Sequence, residues 1–173
     1  MDIVIRKLKP IDLNSYRELR LQCLKNYPMH FTANYDDEKE KEKLFFHDSI
    51  TNADTNNFMI GAFSKGSLIG FSGFNRYNRT KVAHKGRIIQ VYVKPNYQGQ
   101  QIGYSIVKAT IEEAFQINDI ELIEIDAIAS NTSAKKLYTK LGFMQYGIQK
   151  HFLKVNGIYY DHVMMMLFKK EFK

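Results

Sequence analysis

Two short blocks of the chain hold residues whose types and spacing could do chemistry. The first is Tyr97-Gln98-Gly99-Gln100-Gln101-Ile102-Gly103. It follows a β-branched, aromatic run, Ile88 to Val93, and opens a segment with apolar residues at Ile102, Ile106, Val107, Ala109, Ile111, Ala114 and Phe115. Pro95 ends the strand, and the spacing of threes and fours predicts a helix. A strand that runs through a Gly-containing loop into a helix aims backbone N–H groups and the positive end of the helix dipole at one point, which suits a phosphate. A dinucleotide loop would require G-x-G-x-x-G, which is absent; the nearest approach to a P-loop, Gly61 to Gly66, continues with Ser67. The second block, Asn131 to Phe143, predicts a helix from about Thr132 to Lys140, with Asn131 as a possible cap and Gly142 as its end. Tyr138 lies seven positions after Asn131, two turns along one face. A phenol with a pKa near ~10 is protonated at neutral pH and able to donate.

In this order the two blocks resemble the GNAT N-acetyltransferases. The acyl-CoA loop of that family reads Arg or Gln, two residues, Gly, one residue, then Gly or Ala. Gln98 and Gly103 fit it, and Gln101 replaces the middle glycine. The second block looks like the family's N-x-x-A-x-x-L-Y-x-x-x-G-F signature, with every named position filled. The resemblance implies a transferase that moves an acetyl group from acetyl-CoA to a primary amine by direct attack, the acceptor being a small molecule or a protein N-terminus. It implies that the pyrophosphate sits on N–H groups from Gln98, Gly99, Gln100, Gln101, Ile102 and Gly103, with Tyr104 and Ser105 starting the helix. It further implies a bulged central strand splayed from its parallel neighbour, whose main chain at Val91, Tyr92 and Val93 serves the pantetheine arm and thioester. Asn131 would bond the pantetheine, and Tyr138 would protonate the departing CoA sulfur. Gln101 would still supply its N–H if its backbone were helical.

The same resemblance places one wall of the acceptor pocket on the helices after the first strand, which makes Tyr27, Phe31 and Tyr35 candidates to touch substrate. Many members carry a glutamate on the central strand, where this chain has Arg87, Ile88, Ile89 and Gln90. No base is assigned, although His84 at the strand's entry and Asp161 on a late strand are options. The alternative reading is a non-catalytic GNAT-like domain that binds acyl-CoA without transferring it.

The elements that must position these residues follow from pattern. The 173 residues suffice for one domain, 1–173, with a sizeable core. Ile3-Val4-Ile5 alternates like a strand. Tyr16, Leu19, Cys23 and Tyr27 recur at helical spacing until Pro28, and the charge-rich stretch Asp36 to Ile50 predicts a solvent-facing helix. Two strands follow, joined across Ser64-Lys65-Gly66-Ser67, then the central strand, its helix, and a strand from Glu121 to Ala129. Asn156-Gly157 predicts a type I′ hairpin between the last two strands. The expected fold class is α/β (α+β): a single-domain GNAT fold with a mixed central sheet of about seven strands flanked by about four helices.

Composition narrows the rest. One cysteine, Cys23, excludes an intrachain disulfide and suits a reducing cytoplasm. The five histidines show no metal-ligand spacing, so no metal is expected. No apolar run is long enough to span a bilayer, and the N-terminus lacks a signal-peptide pattern, so no membrane partner is expected. The net charge of +7 favours anionic partners in general, CoA among them. Arg76, Arg79, Lys81, His84 and Lys85 interleave with Tyr77, but no nucleic-acid-binding module accompanies them. A homodimer through the C-terminal strands is compatible with the pattern.

Overall fold

In the computed structural model, which describes residues 2–173, seven strands form one sheet. They are β1 (Ile3–Lys7), β2 (Asn57–Ser64), β3 (Ser67–Arg76), β4 (Lys85–Val93), β5 (Leu122–Ile128), β6 (Met144–Val155) and β7 (Ile158–Phe168). Their spatial order is β1-β2-β3-β4-β5-β7-β6. Every neighbouring pair is antiparallel except β4 and β5. Helix α4 (Ile102–Ala114) makes the crossover between those two, as a parallel pair requires. Alternation along β2 divides the core. Phe58, Ile60 and Ala62 pack with Ile106, Val107 and Ile111 of α4 on one face. Met59 and Phe63 pack with Tyr16, Leu19, Cys23 and Leu24 of α1 (Leu13–Asn26) on the other. The fold is the α/β layered sheet that the sequence pattern predicts.

The predicted helix over Asp36–Ile50 is instead two short helices, α2 (Tyr35–Lys39) and α3 (His47–Thr51), which brings the helices to five with α5 (Thr132–Lys140). Leu44 and Phe46 break it. Both are buried, and Phe46 fills the space above Gly73, where an added Cβ would lie 2.5 Å from its ring. Burying those two side chains outweighs the charge pairs of a continuous exposed helix, which contribute only about 0.2–0.5 kcal/mol each. The charges find other partners, Lys39 with Asp36, Lys41 with Glu38 and Lys43 with Asp48.

Two backbone features position the site. The first is a bulge in β4. Phe71 of β3 faces Tyr92 and Gly73 faces Ile89, so Ser72 stands opposite two residues, Gln90 and Val91. Gln90 takes the left-handed conformation, φ 57°. The extra residue shifts the strand's phase: Ile88 and Val93 pack on the α4 face, Ile89 and Tyr92 on the α1 face. The second is the divergence of β4 from β5. They pair only at Lys85–Leu122, Gly86–Ile123 and Arg87–Glu124; beyond Arg87 the β5 side of β4 has no ladder partner. Gly86 permits this junction, since an added Cβ would lie 2.8 Å from the Asn75 carbonyl oxygen and 2.4 Å from the Phe74 ring. At the far edge Asn156 (φ 49°) and Gly157 (φ 82°) turn β6 into β7 as the type I′ pattern predicts.

Candidate active site

The loop after β4 folds back on the strand that precedes it. Pro95–Tyr97 forms one 3-10 turn, and the Gln98 side-chain amide donates to the Val93 carbonyl at 2.9 Å, tying the loop to the strand end. The Gln98 N–H is already donated to the Pro95 carbonyl. From Gly99 to Tyr104, by contrast, no N–H meets an acceptor among the described residues; the first bond of the helix runs from Ser105 N–H to the Gln101 carbonyl. Gly99 (φ 75°) and Gln101 (φ 61°, ψ 6°) both adopt left-handed backbone, so Gln101 holds the conformation for which the family uses glycine. The helical backbone expected at Gln101 is therefore replaced by a left-handed one, because the chain must turn sharply between Gly99 and the first turn of α4. Gly103 lets the start of α4 approach α5: an added Cβ would sit 3.3 Å from Leu137 Cδ1. A run of unpaired N–H groups at the N-terminus of a thirteen-residue helix is able to hold an anion such as a phosphate.

Where β4 and β5 part, a cleft of about 710 Å³ opens. Ile89, Gln90 and Val91 line it from β4, Glu124, Asp126 and Ile128 from β5, and Asn131, Ala134 and Tyr138 from α5. Its other wall carries Arg20, Phe31 and Glu38 from the α1–α2 side, with Phe152 and His162 from the last hairpin. Val91 is half-buried in the cleft wall, while the Tyr92 and Val93 side chains are buried in the two core layers. Asn131 caps α5, its side chain accepting from the Ala134 N–H at 3.0 Å. The Tyr138 ring is 5% exposed and packs on Phe143. Its hydroxyl has no hydrogen-bond partner among the described residues. Burial, with the Asp126 charge adding to it, pushes the phenol far above its ordinary range. It stays protonated throughout the neutral and moderately alkaline range.

Several side chains singled out from the sequence lie elsewhere. His84 is exposed and away from the cleft, although its carbonyl accepts from Glu121 N–H. Asp161 accepts from Lys150 Nζ and His151 N–H, which hold its carboxyl below the usual range, and it does not line the cleft. Tyr27 packs on His30 and Tyr92, and Tyr35 lies under Lys25 and Lys39; of the three aromatics only Phe31 lines the cleft. Cys23 is buried, and burial pushes its thiol to about 11. The basic stretch before β4 is engaged internally: Arg76 donates to the Ala83 carbonyl and to Asn56, and Lys85 pairs with Glu124.

The structure adds a pair that sequence reasoning passed over. His162 Nδ1 lies 2.6 Å from Asp126 Oδ2, and His162 is 4% exposed with Nε2 buried and unpartnered. Ile128 faces His162 in the β5–β7 register and Asp126 faces Met164, so the two meet on the diagonal. In the neutral tautomer that donates Nδ1–H to this carboxylate, Nε2 is the free acceptor. Only the strand register brings them together, and nothing in the local sequence marks it. On the same wall Tyr77 donates to Glu124 Oε2 at 2.6 Å, and burial together with that carboxylate pushes the phenol up to about 12.

An α/β sheet that opens between two parallel strands, beside a helix N-terminus with unpaired N–H groups, is a frame able to hold a phosphate-bearing ligand. A profile of the Acetyltransferase (GNAT) family matches residues 15–143. The N-alpha-acetyltransferase RimI of Mycobacterium tuberculosis (strain ATCC 25618 / H37Rv) is 29% identical over 105 residues, 61% of this chain and 63% of that protein, so the match spans less than two thirds of the relative. An N-alpha-acetyltransferase of Sulfurisphaera tokodaii is 25% identical over 149 residues, 86% of this chain and 84% of that protein. A GNAT acetyltransferase structure from Streptococcus pneumoniae superposes with a TM-score of 0.82 at 20% identity, covering 96% of this chain and 99% of the other. The chain belongs to the GNAT family of acetyltransferases. Its relatives are N-acetyltransferases by name, and acetyltransferase structures of the same fold from Salmonella typhimurium and Sinorhizobium meliloti hold acetyl-CoA. No helix among the described residues is long and apolar enough to cross a membrane.

Proposed function

We propose that this protein transfers an acetyl group from acetyl-CoA to a primary amine, with Tyr138 as general acid and His162, held by Asp126, as the proton acceptor. The observation that carries the reading is one cleft lined by both an unpartnered phenol and the histidine pair, next to the row of N–H groups from Gly99 to Tyr104. Those amides would hold the pyrophosphate, with Gln98 fixing the loop rather than donating. The β4 main chain past the bulge, at Val91, Tyr92 and Val93, together with Asn131, would hold the pantetheine arm. Acetyl-CoA, when bound, supplies an activated acetyl carbon and a sulfur leaving group. His162 Nε2 takes the proton that the amine loses as its nitrogen bonds to the acetyl carbon. Tyr138 gives its proton to the sulfur as the carbon–sulfur bond breaks, and regains one from solvent. Burial keeps the phenol in its protonated, donor form while making it a weaker acid, so its proton moves only as negative charge builds on the departing sulfur. The single thiol, buried and inert, accords with a cytoplasmic protein. No specific observation favours a non-catalytic binding domain.

The test is calorimetric titration with acetyl-CoA, then steady-state kinetics of Tyr138→Phe and His162→Gln. Acetyl-CoA affinity should hold in both variants while kcat falls by about 10²–10⁴-fold. The loss in His162→Gln should shrink at alkaline pH, where the acceptor amine arrives neutral. Unchanged turnover in both variants refutes the assignment.

A further inference from the structure

Charge pairing around the cleft is one-sided. Of the three carboxylates in its lining, Glu38 pairs with Lys41 and Glu124 with Lys85, while Asp126 is bonded to the His162 ring. Arg20 is the reverse. It is 3% exposed, lines the same cleft, and is absent from every ion pair of the described residues. Its Nε is buried without a partner, its one hydrogen bond is the weak one from an NH1 group to Cys23 Sγ at 3.6 Å, and its guanidinium lies over the Phe31 ring at 4.6 Å. An aromatic face offsets only a small part of the cost of burying a cation, and a buried charge is ordinarily matched by an opposite one.

Arg20 also stands near the reacting groups. Phe31 beneath it adjoins His30 in the chain, and both line the cleft together with His162. The Pro28–His30 turn packs against β6. One side of the cleft thus presents a planar, unpaired cation, and the other the proton acceptor. Arg87, exposed at the mouth, is a second cleft-lining cation outside every ion pair of the described residues.

Resting on the acetyl-transfer reading, we infer that the acceptor is a compact amine that carries a carboxylate, an amino-acid-like molecule, and that Arg20 binds that carboxylate. A guanidinium offers a carboxylate two parallel N–H bonds, fixing the position of the amine as well as adding affinity. A polyamine acceptor would meet the opposite pattern, since two of the three cleft carboxylates already pair with lysines and the third is bonded to His162. The amine of the bound molecule would point toward His162, its carboxylate toward Phe31 and Arg20.

The test compares free amino acids and short ω-amino carboxylates with their carboxamides and decarboxylated amines, titrated into the protein saturated with CoA and assayed with acetyl-CoA. At least one carboxylate should bind at least about tenfold more tightly than its carboxamide, as expected for a charge-assisted bidentate contact. Arg20→Gln should abolish that ratio with the carboxamide unchanged, and Arg20→Lys should restore part of it. Thermal unfolding distinguishes a structural arginine: Arg20→Met should melt at or above the wild-type temperature, because it removes an unmatched buried charge. If no carboxylate is preferred while acetyl-CoA binds, the inference falls and the transferase reading stands. Preference for a peptide with an acidic side chain, and none for free amino acids, also overturns it. Failure to bind acetyl-CoA counts against the transferase reading instead.

Discussion

Gln101 is the residue at which this chain departs from its family's loop, and its conformation allows a quantitative test. At φ 61° and ψ 6° it sits in the left-handed region, it is exposed, and its side chain makes no capping hydrogen bond to α4. Replacing it with glycine therefore removes no side-chain bond. It relieves a backbone cost of about 1–2 kcal/mol for an L-residue in that region. The greater freedom of glycine in the unfolded chain offsets about 0.5–1 kcal/mol of this gain. Gln101→Gly should therefore stabilise the protein by about 0.5–1 kcal/mol, a rise in Tm of roughly 2 °C for a chain of this length. The same loop conformation directs the N–H groups from Gly99 to Tyr104, so stabilising it tightens acetyl-CoA binding by at most about fivefold. Gln101→Val should move both quantities the other way, because a β-branched side chain suits a left-handed backbone least. Differential scanning calorimetry and isothermal titration with acetyl-CoA, CoA as comparison, read both effects. If Gln101→Gly lowers Tm or weakens binding while Gln101→Val behaves as wild type, the left-handed turn is not what shapes this site.

Two further outcomes test the frame. Gly86→Ala would push a Cβ against the Asn75 carbonyl and the Phe74 ring at the junction where β4 pairs with β5. Urea unfolding should show a loss of about 1–3 kcal/mol, the usual cost of overpacking. Asp12 accepts two bonds from Arg6 and one from Lys9 N–H, and its carboxyl is held below the usual range chiefly by Arg6. Its folded pKa lies below the unfolded one, so its contribution is present above the unfolded value, ~3.9, and is lost as pH falls through the folded value. Asp12→Asn should cost about 1 kcal/mol at pH 7, a figure discounted because Arg6 is about a third exposed. Melts of the two proteins should converge as the pH drops below that window.

Local pattern marked the helix of the phosphate loop, the α5 block and the Asn156-Gly157 hairpin because each depends on residues close in sequence. The broken helix over Asp36–Ile50 was not legible. Its charge spacing argues for one helix, and only the space above Gly73, supplied by a distant strand, draws Phe46 inward. The β4 bulge was expected only through the family resemblance, not from the residues themselves. Gln90 carries no local mark of a left-handed residue, and its position follows from how β3 and the two core layers accept Ile89 and Tyr92.

The site divides along the same line. The sequence by itself determined the Gly-containing loop before α4 and the placing of Tyr138, since their motifs are contiguous and depend on backbone amides and one helix face. Tertiary structure alone decided the cleft's other groups. His162 and Asp126 meet through a strand register spanning 36 positions, and Arg20 is left without a counter-charge by the way α1 packs beneath Phe31. Periodicity places a side chain on a face of its own element. Which groups then meet across the sheet, and which charge remains unpaired, depends on contacts between segments far apart in the chain.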